Sequence, residues 1–186
     1  MTLRRALFLD RDGVINVDHA YVHKKENFEF IDGIFDLCRT AAALGYRIFV
    51  VTNQAGIGRG YYTEQDFLIL TEWMCGEFRK EGVEIDKVYF CPTHPVHGVA
   101  DYKVASPFRK PGPGMILQAA EEFGIDLARS VLVGDKETDI KAGIASGIEF
   151  TVLYWPVSAG HRVSKTLATQ TVNNLNEVQQ ALLFLA

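Results

Sequence analysis

Apolar residues in this 186-residue chain fall into two kinds of run that take turns. Short unbroken stretches, such as Ala6-Leu7-Phe8-Leu9, read as strands buried on both faces. Longer stretches, with an apolar residue every three or four positions, read as amphipathic helices. The first strand covers 6–9. A helix follows on Ile34, Leu37, Cys38, Ala41, Ala42 and Leu44, closed by Gly45. Residues 47–52 (RIFVVT) are the second strand, rich in β-branched side chains. Thr63, with Asp66 three positions on, caps a helix whose inward stripe is Phe67, Leu70, Met74 and Phe78. The third strand is 88–91. A helix over 115–123 is entered through Pro111-Gly112-Pro113 and stopped by Gly124. A fourth strand at 130–133, a helix at 137–146 ending before Gly147, and a fifth strand at 150–153 complete the regular part. Residues 156–171 read as irregular, and 177–185 as a closing helix.

Strands and helices alternating at this spacing predict right-handed βαβ crossovers. The expected fold class is α/β: a Rossmann-like, three-layer α/β/α sandwich on a mostly parallel sheet, as one domain over 1–186. In such folds ligands sit beyond the carboxyl ends of the strands. Polar residues gather there: Asp10 and Asp12 after the first strand, Thr52 and Asn53 ending the second, Gly134-Asp135-Lys136 after the fourth. Arg109-Lys110 stands just before the helix at 115–123.

Composition narrows the function classes. With 19 basic and 23 acidic residues the formal charge is −4, the wrong sign for attraction to a nucleic acid. A hydrophobic share of 48% suits a globular core. No apolar run approaches the roughly 20 residues of a membrane span. The apolar stretch after Arg4-Arg5 is too short for a signal peptide and is interrupted by Asp10. Cys38, Cys75 and Cys91 are too few and scattered for a disulfide framework. A soluble, cytoplasmic monomer with neither nucleic-acid nor membrane partners is expected.

Asp10, Asp12 and Asp135 would place three carboxylates in one crevice, where their repulsion calls for a cation. An all-oxygen donor set favours magnesium over zinc. Lys110 supplies a positive charge for the carboxylates and for a phosphate, and Thr52 a neutral donor. That is a phosphoryl-transfer site. Asp10 would attack phosphorus, while Asp12 protonates the leaving oxygen and then activates water. Singly, each piece is commonplace: an acid pair after a strand is usually a turn or helix cap. Their shared place on one rim is what argues for chemistry. The run Gly56-Ile57-Gly58-Arg59-Gly60 makes only a weak dinucleotide signal, because the capped helix begins at Thr63 and no ribose-binding acid follows.

The segments Asp10-Arg11-Asp12-Gly13-Val14, Thr52-Asn53-Gln54, Arg109-Lys110-Pro111 and Gly134-Asp135-Lys136 with Asp139 resemble the four motifs of haloacid dehalogenase phosphatases. The likeness is closer to the D-glycero-D-manno-heptose 1,7-bisphosphate 7-phosphatases and the related histidinol-phosphate phosphatases. It extends through 15–19, 21–23, 27–33 and 70–74. The resemblance implies an enzyme without a large cap domain that removes the 7-phosphate, on the route to nucleotide-activated heptose and lipopolysaccharide core. It implies Asp10 as nucleophile, Asp12 as acid/base, and Thr52 and Lys110 as phosphate stabilisers. Magnesium would be held by Asp10, Asp135 and the main-chain carbonyl of Asp12. Substrate contacts are implied for Arg11, for Asp18, His19, Ala20 and Tyr21, for the turn Thr52, Asn53, Gln54 and Ala55, and for Arg109, Lys110 and Lys136. Asp139 matches an orienting acid.

The family often carries a structural zinc, bound by a Cys-x-His and a Cys-x-Cys pair, in the long loop over 91–110. Here Cys91 fits the first place, but Thr93, Ser106 and Phe108 take the other three. His94 and His97 lie nearby without restoring a four-ligand pattern, so no structural zinc is expected. Two rival readings stand beside the heptose bisphosphate one. The first is a phosphatase for another small ester, such as histidinol phosphate or a different sugar phosphate. The second is a non-catalytic phosphoacceptor module, which would have no use for Asp12.

Overall fold

The computed structural model of the chain describes residues 3–156 and 165–185. Its strands are β1 (Ala6–Leu9), β2 (Arg47–Asn53), β3 (Lys87–Cys91), β4 (Val131–Gly134), β5 (Phe150–Tyr154) and β6 (Gln170–Val172). They form one all-parallel sheet in the order β3-β2-β1-β4-β5-β6. The sequence reading of an α/β sandwich on a parallel sheet holds. Its irregular tail does not hold throughout, because Gln170–Val172 adds a sixth strand beside β5. Within that tail, residues 157–164 lie outside the described residues.

The helices are α1 (Ile34–Ala43), α2 (Ala55–Gly58), α3 (Glu64–Lys80), α4 (Gly114–Phe123), α5 (Glu137–Ser146) and α6 (Leu175–Leu185). Each face of the sheet buries its own cluster. Leu7 and Leu9 of β1 pack with Leu37 of α1, Met74 and Phe78 of α3, and Leu182 of α6. Ala6 and Phe8 point the other way, to Ile116 of α4 and Ile140 of α5. Period-two alternation along a strand buried on both faces produces this three-layer packing. Thr63 and Asp66 make the reciprocal bonds of a capping box, and the buried residues of α3 are the four its periodicity marked.

One short helix goes against its composition. Ala55–Gly58 is helical despite two glycines, and it absorbs the glycine-rich run that resembled a nucleotide loop. The order of strands matters most for function. The chain winds outward from β1 through β2 to β3, then returns to β4 on the other side of β1. The carboxyl ends of β1 and β4 therefore flank the point where winding reverses, which is where such folds bind ligands.

Candidate active site

Asp10 is the first residue beyond β1, and its N–H still bonds Val133 O at 3.0 Å, as the next rung of the ladder. Its Oδ1 accepts from Arg11 N–H at 2.7 Å and from Lys110 Nζ at 2.8 Å. Lys110 comes from a distant segment and is buried. Its Nζ also donates to Asp139 Oδ1 at 2.6 Å and to Val51 O at 2.7 Å, so all three ammonium protons are used. Asn53 latches the Lys110 main chain in both directions, with N–H···O distances of 3.0 Å each way. Burial alone would pull the Lys110 ammonium down, but Asp10 and Asp139 outweigh it and hold it protonated. Burial pushes Asp10 above the usual carboxylate range, with Lys110 pulling back and Asp139 adding to the rise.

Asp135 lies beside them. Its Oδ1 is buried and, among the described residues, has no hydrogen-bond partner. One carboxylate oxygen each from Asp10, Asp135 and Asp139 come within 4.8 Å of one another. Burial, then the neighbouring Asp10, pushes the Asp135 carboxyl up to about 8. An orphaned buried acceptor in a cluster of three acids, with a single buried ammonium among them, fits a hard divalent cation. Gly13 makes room for this arrangement. Its φ of 94° suits glycine, and a Cβ there would stand 2.3 Å from Asp135 Oδ2.

Asp12 is held from several sides. Arg11 Nη2 reaches both of its oxygens at 2.8 and 2.9 Å, Asn16 Nδ2 reaches Oδ1 at 3.1 Å, and Gln54 Nε2 reaches Oδ2 at 3.0 Å. Gln54 Nε2 also donates to Thr52 Oγ1 at 2.9 Å, while Gln54 Oε1 accepts from Tyr62 OH at 2.5 Å. The amide orientation follows, since only its NH2 end can face a carboxylate.

These groups floor an open cavity of about 440 Å³. Every expected site residue lines it except Arg11, His19 and Asp135. Arg11 is 1% exposed, and its Nη2 ends on Asp12 and Val22 O at 2.7 Å. The Arg11 side chain therefore supports Asp12 from inside the fold and does not line the cavity. His19 lines a neighbouring cavity that shares Ala20 and Tyr21 with this one, and bonds Glu29 at 3.1 Å. Asp135 sits behind the cavity, turned to Asp10 and Asp139. On the near rim Ala20 and Tyr21 have φ of 60° and 56°, two consecutive non-glycine residues in the left-handed region. Such residues cost about 1–3 kcal/mol each and persist only where their surroundings over-determine them. Asp18 pins them, accepting from Ala20 N–H at 3.1 Å and from Lys136 Nζ at 3.1 Å. Tyr62 and Thr138 also line the cavity, and neither stands out in the sequence.

A HAD-hydrolase-like family model matches residues 107–176. The D-glycero-alpha-D-manno-heptose-1,7-bisphosphate 7-phosphatase of Burkholderia mallei is 59% identical, over 94% of this chain and 91% of its own length. The chain belongs to the heptose-bisphosphate phosphatase family of haloacid dehalogenase-like hydrolases. A D-glycero-beta-D-manno-heptose-1,7-bisphosphate 7-phosphatase from Yersinia pestis is 46% identical, over 95% of this chain and 94% of its own. The crystal structure of D,D-heptose 1,7-bisphosphate phosphatase from B. bronchiseptica, complexed with magnesium and phosphate, superposes with a TM-score of 0.79. It is 26% identical and covers 98% of this chain, with 99% of its own matched. Membership accounts for the four motifs. It does not account for the departures at Thr93, Ser106 and Phe108. Among the described residues no helix is long and apolar enough to cross a membrane.

Proposed function

We propose that this protein is a magnesium-dependent phosphatase that removes the 7-phosphate of D-glycero-D-manno-heptose 1,7-bisphosphate through an aspartyl-phosphate on Asp10. The observation that carries this reading is Lys110 bridging Asp10 and Asp139 beside Asp12, on the floor of an open cavity. Asp10, Asp135 and the main-chain carbonyl of Asp12 would hold magnesium, which when bound supplies positive charge to the phosphoryl oxygens. Arg11 N–H and Lys110 both occupy Asp10 Oδ1, which leaves Oδ2 to bond to phosphorus. As that bond forms, the bond from phosphorus to the sugar oxygen breaks, and Asp12 gives the leaving oxygen its proton. Asp12 then takes a proton from the water that attacks the aspartyl-phosphate, releasing phosphate and restoring Asp10. The donors around Asp12 match the carboxylate it becomes after the first transfer. Thr52 Oγ1 accepts from Gln54, so its own proton is free to meet a phosphoryl oxygen. Arg109 and Lys136 stand at the rim as partners for the phosphate that stays.

The relative at 59% identity is named for the α anomer, and α is the anomer we assign. The reading includes a single domain without a large cap, working as a cytoplasmic monomer on the way to nucleotide-activated heptose, with no zinc in the 91–110 loop. The test is phosphate release, with and without magnesium, from both anomers of the bisphosphate, heptose 7-phosphate and histidinol phosphate. The α bisphosphate should lead the monophosphates in kcat/KM by roughly a hundredfold, the scale of a charged anchor lost from the others. Equal rates would remove the substrate assignment. Release from none of the esters would remove the phosphatase.

A further inference from the structure

The four positions at which the resemblance implies a structural zinc do not fit one here. Cys91 is buried with its Sγ 3.3 Å from Thr93 Oγ1. Ser106 Oγ accepts the N–H of Phe108 at 3.2 Å, and Phe108 brings no ligand atom. His94 Nδ1 already accepts the N–H groups of Val96 at 3.1 Å and His97 at 3.0 Å, closing a turn. Among the described residues, the cluster of metal-ligating side chains is Asp10, Asp135 and Asp139, which takes no ligand from this loop and meets its last residue, Lys110.

The loop is nonetheless tied down at several points. Tyr102 OH donates to Glu64 Oε1 of α3 at 2.9 Å, a bond strengthened by the carboxylate charge. Its ring packs on Ile57, Tyr62 and Phe67. Tyr102 O accepts the N–H of His94 at 3.0 Å, which joins the tyrosine to the histidine turn. Val99 N–H reaches Gly58 O on α2 at 2.8 Å. A Cβ on Gly58 would stand 2.4 Å from Pro92 O, so the loop approaches the α2 backbone more closely than a side chain allows. At the far end Arg109 Nη1 donates to Thr93 O at 3.2 Å, while the same residue lines the active-site cavity.

We propose that Tyr102, through Glu64, and His94, through the turn it closes, are positioning residues that do the work of a metal: they hold the 91–110 loop so that Arg109 faces the substrate's remote phosphate. Ordering a long loop costs conformational entropy, which must be offset by fixed bonds or by a ligated ion. This chain uses bonds. The inference rests on the phosphatase reading for what Arg109 meets, but not for what holds the loop.

Three measurements test it. Protein purified from zinc-supplemented cells should carry no bound zinc; a full equivalent per chain would overturn the proposal. Tyr102→Phe should raise KM for the bisphosphate roughly fivefold to tenfold, the effect of one charge-assisted hydrogen bond, while kcat stays within about twofold. It should also speed amide exchange at His94 and Val99, a readout that needs no turnover. Unchanged KM and unchanged exchange would overturn the role of Tyr102, and a fall in kcat alone would assign it elsewhere. The third measurement adds Thr93→His, Ser106→Cys and Phe108→Cys to Tyr102→Phe, completing the missing ligands. Zinc uptake that restores the low KM supports the equivalence of bonds and metal; uptake without restoration refutes it. If no phosphate ester is turned over, the functional reading fails while the zinc and exchange results still decide the loop.

Discussion

The buried charges beyond β1 and β4 and the loop over 91–110 border the same cavity and are built by contrary means. In the first, Asp10, Lys110 and Asp139 are almost wholly out of water, and each is satisfied by groups from distant parts of the chain. In the second, His94 and Ser106 accept from backbone neighbours two or three residues on, while single bonds from Tyr102 to Glu64 and from Val99 to Gly58 tie the loop to α3 and α2. A charge removed from water is tolerable only with its partner in place, so the first region accepts no substitution without compensation. Local turns near solvent are interchangeable with other ways of ordering a loop. That difference suits a site whose charged groups follow the four motifs, beside a loop where Thr93, Ser106 and Phe108 stand at positions the resemblance implies for zinc ligands.

The sharpest way to break the comparison is at Asp10. Asp10→Asn should lower kcat by roughly 10⁴-fold or more, as for loss of a nucleophile, with an unchanged circular dichroism spectrum. Phosphate release at the normal rate would move the covalent step elsewhere. Next comes Lys110→Met, which strands two buried carboxylates and should cost about 3–5 kcal/mol in urea unfolding besides abolishing turnover. A loss below about 1 kcal/mol would mean these charges are less dry than their burial implies.

Third is pH. Asp135 is pushed from 3.8 up to about 8 in the metal-free protein. An acid raised on folding contributes stability below its unfolded value and loses it as pH climbs through the folded one. Metal-free protein should therefore weaken from about pH 4 to pH 8. Magnesium needs the carboxylate, so its affinity should tighten by about tenfold per pH unit from 6 to 8 and then level off. Calorimetry across that range reads both, and a flat affinity would detach Asp135 from the ion. The smallest effect sharpens the boundary of the site: His19→Ala should leave kcat/KM within about twofold, since its ring turns to Glu29, and a tenfold loss would bring it back into the site.

Much of this was legible from the chain because local rules govern it. Gly45, Gly124 and Gly147 stop helices in the sequence reading, and all three have positive φ in the structure. The Thr63–Asp66 box and the stripe of α3 are set within one helix. Asp10, Asp12, Thr52 and Lys110 stand where strand ends and motifs put them. The rest depends on tertiary partners that leave no local trace. Gln170–Val172 is too short and polar to announce a strand and exists through its pairing with β5. Ala55–Gly58 is helical against propensity, in the turn where Tyr62 and Pro92 press on its glycines. Arg11 between two acids resembles a ligand-binding residue, and nothing nearby signals that Val22 O and Asp12 take it inside. The pairing of Lys110 with Asp139 joins separate segments that no periodicity links.

The position of β1 has one more consequence. It is flanked on both sides, by β2 and β4, while β3 and β6 form the margins. Fraying that begins at the β6 margin, with release of α6, has two further strands to cross before it touches the Asp10 backbone, and fraying that begins at β3 has one. Hydrogen exchange should rank the amides of β1 among the last to open, close to the free energy of complete unfolding. Catalytic competence would then outlast the melting of the sheet's borders, and disappear only with the fold itself.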